Sequence, residues 1–343
     1  MHRARAAALV LIALSGSACI LYPSYEINYE TYALPGTPWN LESINSPYDD
    51  KNVAAPPSLR VSASIVFSTN RARQGSDFDL LAGDLWADFD QDSGSFHSTG
   101  DVAWRQPQWL ERVNQPGSNE LGPRTYSLRR NGDVLLFASD RGGSLDVYWA
   151  SARPLVLDPG PQDAAPQRLR GLDTPGADES YPSLVLGSDE LLLCRRAPGG
   201  DGELCLARLV DPDDLAQGVA SVTTLSELNS PRDDGYPYTN GDTLVFASDR
   251  AGGQGGFDLY LSRRDAAGKW SAPVNLGPRV NSAADELRPV LIHAEQFEND
   301  LLVFSSNRPG GRGGYDLWAV GIERPATPKA AKAAPEPASS RGR

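Results

Sequence analysis

The chain has 343 residues, a formal net charge of −12 at pH 7 and a 40% share of hydrophobic residues. This composition predicts a globular protein with one large or two ordinary domains. No basic patch is present apart from the two termini, which excludes nucleic acid as a partner. The 33 glycines and 27 prolines follow no collagen-like or linker-like period, which predicts many turns and an all-β fold.

The N-terminus has the layout of a secretory signal. Arg3 and Arg5 precede an apolar run over residues 6–14, and small residues follow as far as Cys19. The run is too short to span a bilayer. Small residues before a cysteine are similar to a bacterial lipoprotein signal, which implies lipid attachment at Cys19, although Gly16 stands where that motif usually has leucine. An ordinary cleaved signal with an incidental cysteine is the alternative.

These features predict the boundaries at both ends of the chain. We expect residues 1–18 to be a signal peptide, residues 19–38 a lipidated tether, and residues 323–343 a disordered tail rich in Pro, Ala and Lys. No other apolar stretch approaches the roughly 18 residues of a membrane helix. The sequence therefore predicts an exported lipoprotein that contacts the membrane through its lipid anchor only. The outer membrane, facing the periplasm, is the favoured location, and the inner membrane is the alternative.

Two motifs alternate along the rest of the chain. The first is a hairpin with an apolar strand, a turn containing Arg or Gly, and a second strand that starts with an acid, as in "LVFASDRAGGQGGFDLYLS" and "LLVFSSNRPGGRGGYDLWAV". The five hairpins begin at Ile65, Leu135, Leu191, Leu244 and Leu301. The second motif is an acidic loop before each hairpin, as in "LNSPRDDGYP". The five loops begin at Ile44, Val113, Leu172, Leu228 and Val280.

Equivalent positions in successive hairpins are 53 to 70 residues apart. A repeat of this length with about four short strands is typical of a β-propeller blade. Blades pack face to face, so their strands are covered on both sides and can carry consecutive apolar residues such as "LLVF". The predicted fold is therefore an all-β propeller built from four-stranded blades.

The same residues resemble the TolB-type propeller repeat, in which a Ser-Asp-Arg turn precedes a strand of aromatic or aliphatic, Asp and hydrophobic residues. The resemblance covers residues 40 to 320. Propellers of this family act chiefly as protein-binding platforms in the periplasm and envelope, and the resemblance implies such a role here. TolB itself has an additional N-terminal domain, for which this chain has too few residues before the repeats.

The ends of the repeat region indicate how the ring closes. Residues Trp39 to Ile44 match the outer strand that precedes the fifth loop, whereas the fifth hairpin ends at Val320 without an outer strand of its own. We therefore predict a propeller over residues 39–322 with five blades, the last one closed by the N-terminal strand, which removes an open edge. A sixth blade is the alternative. It would occupy the longest interval, where we predict instead a long outer hairpin that pairs Leu80 to Phe89 with Val102 to Val113.

An acidic residue and an arginine recur together in the hairpins. The acids are Asp79, Asp146, Glu203, Asp258 and Asp316. The arginines are Arg71, Arg141, Arg250 and Arg308, with Arg195 and Arg196 displaced by about one position in the third repeat. This pattern predicts structural ion pairs that brace each hairpin, namely Arg141 with Asp146, Arg250 with Asp258, and Arg308 with Asp316.

The acidic loops are a candidate binding rim. In a four-stranded blade, two loops lie on the same face of the propeller: the loop that enters the first strand and the loop that joins the second and third strands. Both motifs are therefore expected on the same rim. The candidate rim residues are Asp178, Glu179, Asp233, Asp234, Asp285 and Glu286. Three roles are open for them: they accept backbone N–H bonds, they pair with the hairpin arginines, or they attract a cation or a basic partner.

Cys194 and Cys205 are the remaining cysteines, and they flank the turn of the third hairpin. Directly opposed residues of an antiparallel pair lie about 4.5 to 5.5 Å apart, within reach of a disulfide. We predict a cross-strand disulfide in an oxidising compartment. The alternative is two buried thiols that the strand register leaves diagonal to each other.

Little in the sequence indicates a metal, a cofactor or a catalytic centre. "DFDQDSG" from Asp88 begins like a calcium loop, but Ser93 replaces the turn glycine and no Glu stands at the twelfth place. The only histidines are His2, His97 and His293, which is too few for a histidine-rich site or a clear triad. We predict no metal, no cofactor and no catalytic residue.

Two functions remain from the sequence. The favoured one is a non-catalytic, lipid-anchored platform that binds an envelope protein or a glycan. The alternative is a propeller glycoside hydrolase or carbohydrate-binding protein. Hydrolysis needs two carboxyl groups in different environments, about 5 to 9.5 Å apart. Because most acids here obey the repeat, the sequence favours a protein that is not an enzyme.

Overall fold

The computed structural model describes residues 32–59, 62–90, 95–103, 106–152, 165–172 and 174–324. They form five sheets arranged as the blades of a propeller, each with four antiparallel strands, and a short fifth strand is added in parallel to the last sheet. The prediction of an all-β propeller with five blades is therefore confirmed. The predicted signal peptide, Cys19 and nearly all of the predicted tail lie outside the described residues. Within the described residues no helix is long and apolar enough to cross a membrane.

The blades follow one another in chain order around the ring, whereas two short N-terminal strands join the last blade. Strand β1 (Trp39–Asn40) completes the last blade, and β3 (Ser58–Leu59) pairs in parallel with that same blade. Blade 1 contains β2 (Asp50–Ala54), β4 (Ser62–Thr69), β5 (Asp79–Asp90) and β6 (Ser95–Val102). Blade 2 contains β7 (Glu120–Leu128), β8 (Gly132–Ser139), β9 (Asp146–Ser151) and β10 (Gln167–Arg168). Blade 3 contains β11 (Asp178–Leu184), β12 (Glu190–Arg196), β13 (Gly202–Leu209) and β14 (Val219–Thr224). Blade 4 contains β15 (Asp234–Asn240), β16 (Thr243–Ser248), β17 (Asp258–Arg263) and β18 (Val274–Asn275). Blade 5 contains β19 (Glu286–Ala294), β20 (Asp300–Ser306) and β21 (Asp316–Ile322), and β1 is its fourth strand.

The N-terminal segment closes the ring. Trp39 lies opposite Ala319 in the register of β1 and β21. The Asn45 side chain continues the contact, since its amide donates to the Leu317 carbonyl and its oxygen accepts from the Leu317 N–H, each at 2.9 Å. Ile44 is fully buried. The outer edge of blade 5 is thereby paired, as the sequence predicted.

The second strand of each blade carries the core. Its equivalent residues are all fully buried: Phe67, Phe137, Leu193, Phe246 and Phe304. Burying one such side chain stabilises the fold by about 1.5 to 3 kcal/mol. These strands are covered by a blade on each side, which is why their sequences are apolar without alternation.

The first strand of each blade faces the ring axis, where first strands of neighbouring blades contact each other. Each of these strands contains a bulge. The residue at the bulge has a positive φ in every blade: Asn52, Gly122, Tyr181, Tyr236 and Arg288. Four of these five residues are not glycine, so the backbone is strained at these positions. The strained conformation sets the direction of these side chains.

The predicted outer hairpin of blade 1 is wrong in its second half. Strand β5 pairs with β6 in the register Gly83 to Val102, and the chain then leaves the sheet. A short helix, α1 (Gln108–Val113), follows Pro107 and buries Leu110 and Val113. Pro107 cannot donate a ladder hydrogen bond, and the three-residue spacing of the buried side chains fits a helix rather than a strand.

The predicted disulfide is also wrong, because both cysteines of the described chain are free. In the register of β12 and β13, Cys194 lies opposite Leu204 and Cys205 lies opposite Leu193. The offset of one residue points the two thiols to opposite faces of the blade. Cys205 packs in the core between blades 2 and 3, whereas Cys194 approaches the Asp234 carbonyl of blade 4.

Candidate functional site

The hairpin arginines pair with the acidic loops and not with the hairpin acids, so the predicted pairings are wrong. Arg141 contacts Glu120 at 2.9 Å and Arg250 contacts Asp234 at 2.5 Å. The same pair occurs in the other blades, as Arg71 with Asp50, Arg195 with Glu179, and Arg308 with Glu286. All five carboxylates are fully buried. This pairing was one of the roles left open for the loop acids.

Packing explains the choice of partner. Arg250 lies over the rings of Phe246 and Tyr260, with its Cζ 5.2 and 4.8 Å from the two ring centroids. Its Nη2 then reaches the Leu228 carbonyl at 2.7 Å as well as Asp234. The stacked guanidinium is thus directed back toward the loop that enters the same blade, and it ties the loop to the second strand.

The hairpin acids Asp146, Asp258 and Asp316 have other partners. Asp146 accepts from Arg168 at 2.5 Å in the outer strand of its own blade. Asp258 accepts from the Gln254 N–H, and Asp316 accepts from the Arg312 and Gly313 N–H groups. These carboxylates therefore satisfy the backbone of the glycine-rich turns or hold the outer strand.

The first acid of the third, fourth and fifth loops links neighbouring blades. Asp178 accepts from the Leu145 N–H at 2.9 Å, Asp233 from the Gly202 N–H at 2.6 Å, and Asp285 from the Phe257 N–H at 3.0 Å. Each donor belongs to the hairpin of the preceding blade. The predicted rim residues do share one face, but through these hydrogen bonds they have a structural role between neighbouring blades.

A cavity on this face, chiefly between blades 3 and 4, is the candidate binding site, and we call it the mouth. It is a cavity of about 180 Å³ lined chiefly by Ser180, Tyr181, Arg196, Asp233, Tyr236 and Phe257. The Tyr181 and Tyr236 rings lie 4.3 Å apart at 39°, and Phe257 meets Tyr236 edge-on at 5.8 Å. Blades 3 and 4 thus supply an aromatic wall to the mouth.

Polar groups stand beside this wall. Asp233 and Arg196 form an ion pair at 2.5 Å, and both side chains are partly exposed. Burial raises the pKa of Tyr181 to about 12 and raises the pKa of Tyr236 well above its usual value. Both phenols are therefore neutral hydroxyl groups that can donate and accept hydrogen bonds. The mouth combines apolar ring faces with a few convergent polar groups, as small-molecule sites do.

A second asymmetric group lies near the mouth, between blades 5 and 1. The Tyr315 hydroxyl donates to Asp285 at 2.7 Å, and the Lys51 Nζ lies 4.0 Å from the Phe78 ring centroid. Burial and then the Asp285 carboxylate raise the pKa of Tyr315. Burial lowers the pKa of Lys51, against the opposing effect of Asp49. Tyr315 is the hairpin residue before β21, where the other blades have Phe, Leu, Gly and Phe, so this pair breaks the repeat.

A larger open cleft, of about 970 Å³, lies on the other face between blades 4 and 5. Several of its charged groups are already held in ion pairs. Arg264 binds Glu190, and His293 and Arg324 both contact Asp300. Within the described residues, no group of three or more His, Cys, Asp or Glu is placed to hold a metal ion.

Sequence reasoning named Asp233 of the mouth but missed its aromatic residues. It singled out the acids because they recur, whereas Tyr181 and Tyr236 occupy a position that differs in every other blade. The available signal was a break in the repeat: two tyrosines two residues after the acidic pairs "DE" and "DD" of loops three and four. Only the fold shows that this position faces the ring axis.

Comparisons with known proteins bear on the fold. No family model and no curated protein matches the sequence. The α-L-arabinofuranosidase PaAbf62A from Podospora anserina, solved with cellotriose, is 12% identical, with a TM-score of 0.53 over 84% of this chain and 98% of that chain. RS223 β-xylosidase is 11% identical, with a TM-score of 0.50 over 83% of this chain and 95% of that one. TolB from Acinetobacter baumannii is 12% identical, with a TM-score of 0.39 over 80% of this chain and 55% of that one.

These findings correct the favoured functional prediction. A non-catalytic, protein-binding propeller was expected from the resemblance to TolB, but the better structural matches are propeller glycosidases. They favour the alternative, a propeller glycoside hydrolase or carbohydrate-binding protein. At identities of 12% and below, the likeness establishes the propeller fold, and the function rests on the site itself.

Proposed function

We propose that the protein is a carbohydrate-active propeller that binds a sugar unit of a glycan in the mouth. The observation that carries the proposal is the tilted Tyr181 and Tyr236 pair beside the Asp233 and Arg196 ion pair. Blades 3 and 4 alone have aromatic residues at this axial position. The arrangement is therefore specific to one side of the ring and is not required by the repeat.

The chemistry of the wall suits a sugar. A pyranose or furanose ring presents C–H groups on a face and hydroxyl groups at its edge. The C–H face packs against aromatic rings, and the hydroxyl groups bond to a carboxylate, a guanidinium and phenols. A cavity of about 180 Å³ has room for one sugar unit and not for an oligosaccharide, so the remainder of a glycan would lie across the face of the acidic loops.

A second candidate function is hydrolysis of a glycosidic bond near the same mouth. The Asp285 and Tyr315 pair favours it, because a hydroxyl hydrogen-bonded to a carboxylate is the arrangement of a nucleophile and its base. A tyrosine nucleophile is an exception to the usual pair of carboxyl groups in glycoside hydrolysis. It occurs in one blade only, as a unique catalytic group should. The propeller fold of the arabinofuranosidase and the xylosidase is consistent with this candidate.

Calorimetric titration of purified protein with mono- and oligosaccharides, combined with assays for released reducing sugar, tests both functions. Tyr236→Phe and Arg196→Met are expected to weaken glycan binding, whereas Tyr48→Phe, an exposed tyrosine outside the mouth, is the matched control and should not. Tyr315→Phe and Asp285→Asn are expected to abolish hydrolysis. Absence of binding across a broad glycan panel would refute the proposal, and binding without turnover would refute only the second candidate.

The location of the protein stays a prediction that the N-terminal sequence supports. We propose export and lipid attachment at Cys19. The mass of the N-terminal peptide extracted from membranes tests this proposal. An unmodified Cys19, or a mature chain that starts at another residue, would contradict it.

A further inference from the structure

Two arginines lie buried near the ring axis beneath the mouth. Arg288, on β19, is fully buried, and Arg124, on β7, is 7% exposed. Neither belongs to the repeated arginines of the hairpins. In the part of the chain that the structure describes, no Asp or Glu lies within salt-bridge distance of either side chain.

Arg288 is held by carbonyl groups. Its Nη2 donates to the carbonyls of Gly122 at 2.9 Å and Pro123 at 3.4 Å, and its Nη1 donates to that of Pro237 at 3.3 Å. Its Nε has no hydrogen-bond partner among the described residues. Because Pro123 precedes Arg124 in the chain, the Arg288 guanidinium lies against the backbone that carries the second arginine.

Arg124 borders a small cavity of about 40 Å³, which Tyr126, Tyr238 and Thr239 also line. Its guanidinium lies 4.3 Å from the Tyr238 ring centroid, and its Nε donates to the Tyr126 hydroxyl at 3.3 Å. Its Nη1 is buried and has no partner in the described chain. The Tyr126 oxygen also accepts from the Leu184 N–H at 2.8 Å. Because the Tyr126 oxygen accepts both hydrogen bonds, its hydroxyl proton remains available for donation.

This arrangement leaves positive charge without compensation. Burial, and then the charge of Arg124, lower the pKa of Arg288 to about 9, and an arginine remains protonated under physiological conditions. A buried charge is costly unless an opposite charge or a full set of hydrogen bonds meets it. Each of the five hairpin arginines has a carboxylate partner, and in this the two axial arginines differ from them.

We propose that the cavity beside Arg124 binds a small inorganic anion of the size of chloride. The Arg124 Nη1 and the Tyr126 hydroxyl are the donors, and Arg288 contributes a second positive charge from behind the Pro123 peptide. A cavity of about 40 Å³ exceeds the room needed for one water molecule and excludes large organic anions. This site is independent of sugar binding in the mouth.

Bromide is a direct probe, because it resembles chloride and scatters anomalously. Crystals of the wild-type protein soaked in bromide are expected to show an anomalous peak within hydrogen-bond distance of the Arg124 Nη1 and the Tyr126 hydroxyl. Crystals that show bromide elsewhere on the protein, but none at this cavity, would overturn the proposal. This measurement needs no variant and therefore does not depend on whether a variant folds.

Stability in solution gives a second test with variants. Chloride is titrated against gluconate, which is too large for the cavity, at constant ionic strength. Above its dissociation constant, each tenfold rise in chloride is expected to lower the unfolding equilibrium constant tenfold. Arg124→Met should remove this response and Tyr126→Phe should weaken it. Arg129→Met, which removes a highly exposed arginine of the same blade, should leave it unchanged. An equal response in Arg124→Met and the control, or none in the wild type, would overturn the proposal.

Discussion

Replacing Arg308 with methionine is expected to destabilise the ring strongly, because it leaves a buried carboxylate without its cation. Arg308 Nη2 contacts Glu286 at 2.7 Å and the Val280 carbonyl at 2.7 Å, and its Nε donates to Ser306 at 3.1 Å. The Glu286 side chain is fully buried, and that of Arg308 is 11% exposed. Methionine keeps the apolar contact with the blade but removes all three hydrogen bonds.

The magnitude follows from the burial of the pair. Removing one partner of a buried ion pair costs about 3 to 5 kcal/mol, whereas an exposed pair contributes about 0 to 1 kcal/mol. Glu286 keeps hydrogen bonds from Ser282 and Ser306, which places the expected loss of Arg308→Met near the lower figure, about 3 kcal/mol. For a protein of this size the loss corresponds to a fall in Tm of roughly 4 to 5 °C.

The assay is urea unfolding of four proteins: wild type, Arg308→Met, the double variant Arg308→Met with Glu286→Met, and Arg129→Met. Arg129 pairs with Asp213 at 3.8 Å, with its side chain 90% exposed, so its loss is expected to cost less than about 1 kcal/mol. The double variant is expected to be more stable than Arg308→Met, because its second substitution removes the Glu286 carboxylate that Arg308→Met leaves unpaired.

Two results would refute this reasoning. If Arg308→Met cost no more than Arg129→Met, the repeated ion pairs would not brace the blades. If the double variant were as unstable as or less stable than Arg308→Met, the loss would come from packing and not from the stranded charge.

Three further outcomes are expected. Burial raises the pKa of Glu120 from 4.5 to about 7, so between pH 4.5 and 7 the folded state binds more protons than the unfolded state. The stabilisation that comes from protonated Glu120 is complete below pH 4.5 and is lost as the pH rises through 7. Relative to Glu120→Gln, the free energy of unfolding of the wild type, measured with urea, should fall by about 3 kcal/mol over this pH range. Parallel pH profiles of the two proteins would contradict this prediction. Burial raises the pKa of Cys194 to about 12 and also raises the pKa of Cys205, so mass spectrometry without reductant should show neither of these two cysteines alkylated in the native protein and both alkylated after unfolding. Protection of both after unfolding would mean that they form a disulfide. Ile44→Ala should cost about 2 to 5 kcal/mol because Ile44, in the segment that follows the closing strand, is fully buried in the core. A loss below about 1 kcal/mol in urea unfolding would show that the N-terminal segment does not hold the ring closed.

The sequence by itself determined the architecture. Apolar strands, glycine turns and acidic loops are local features, and their fivefold recurrence predicted the blades, their number and the closing strand at Trp39, all of which the structure has. Local signals suffice here because each blade is built mainly from residues close together in the chain. The exception, helix α1, lies where the repeat motifs are missing.

Only the tertiary structure decided which groups meet. A strand register shifted by one residue moves Cys194 and Cys205 to opposite faces, and a sequence does not show that shift. The partner of Arg250 was decided by stacking on Phe246, which directs the guanidinium to Asp234 rather than Asp258. The mouth and the axial arginines likewise exist because the ring brings distant blades together. A repeat predicts what its copies share, and the candidate sites of this protein come from where the copies differ.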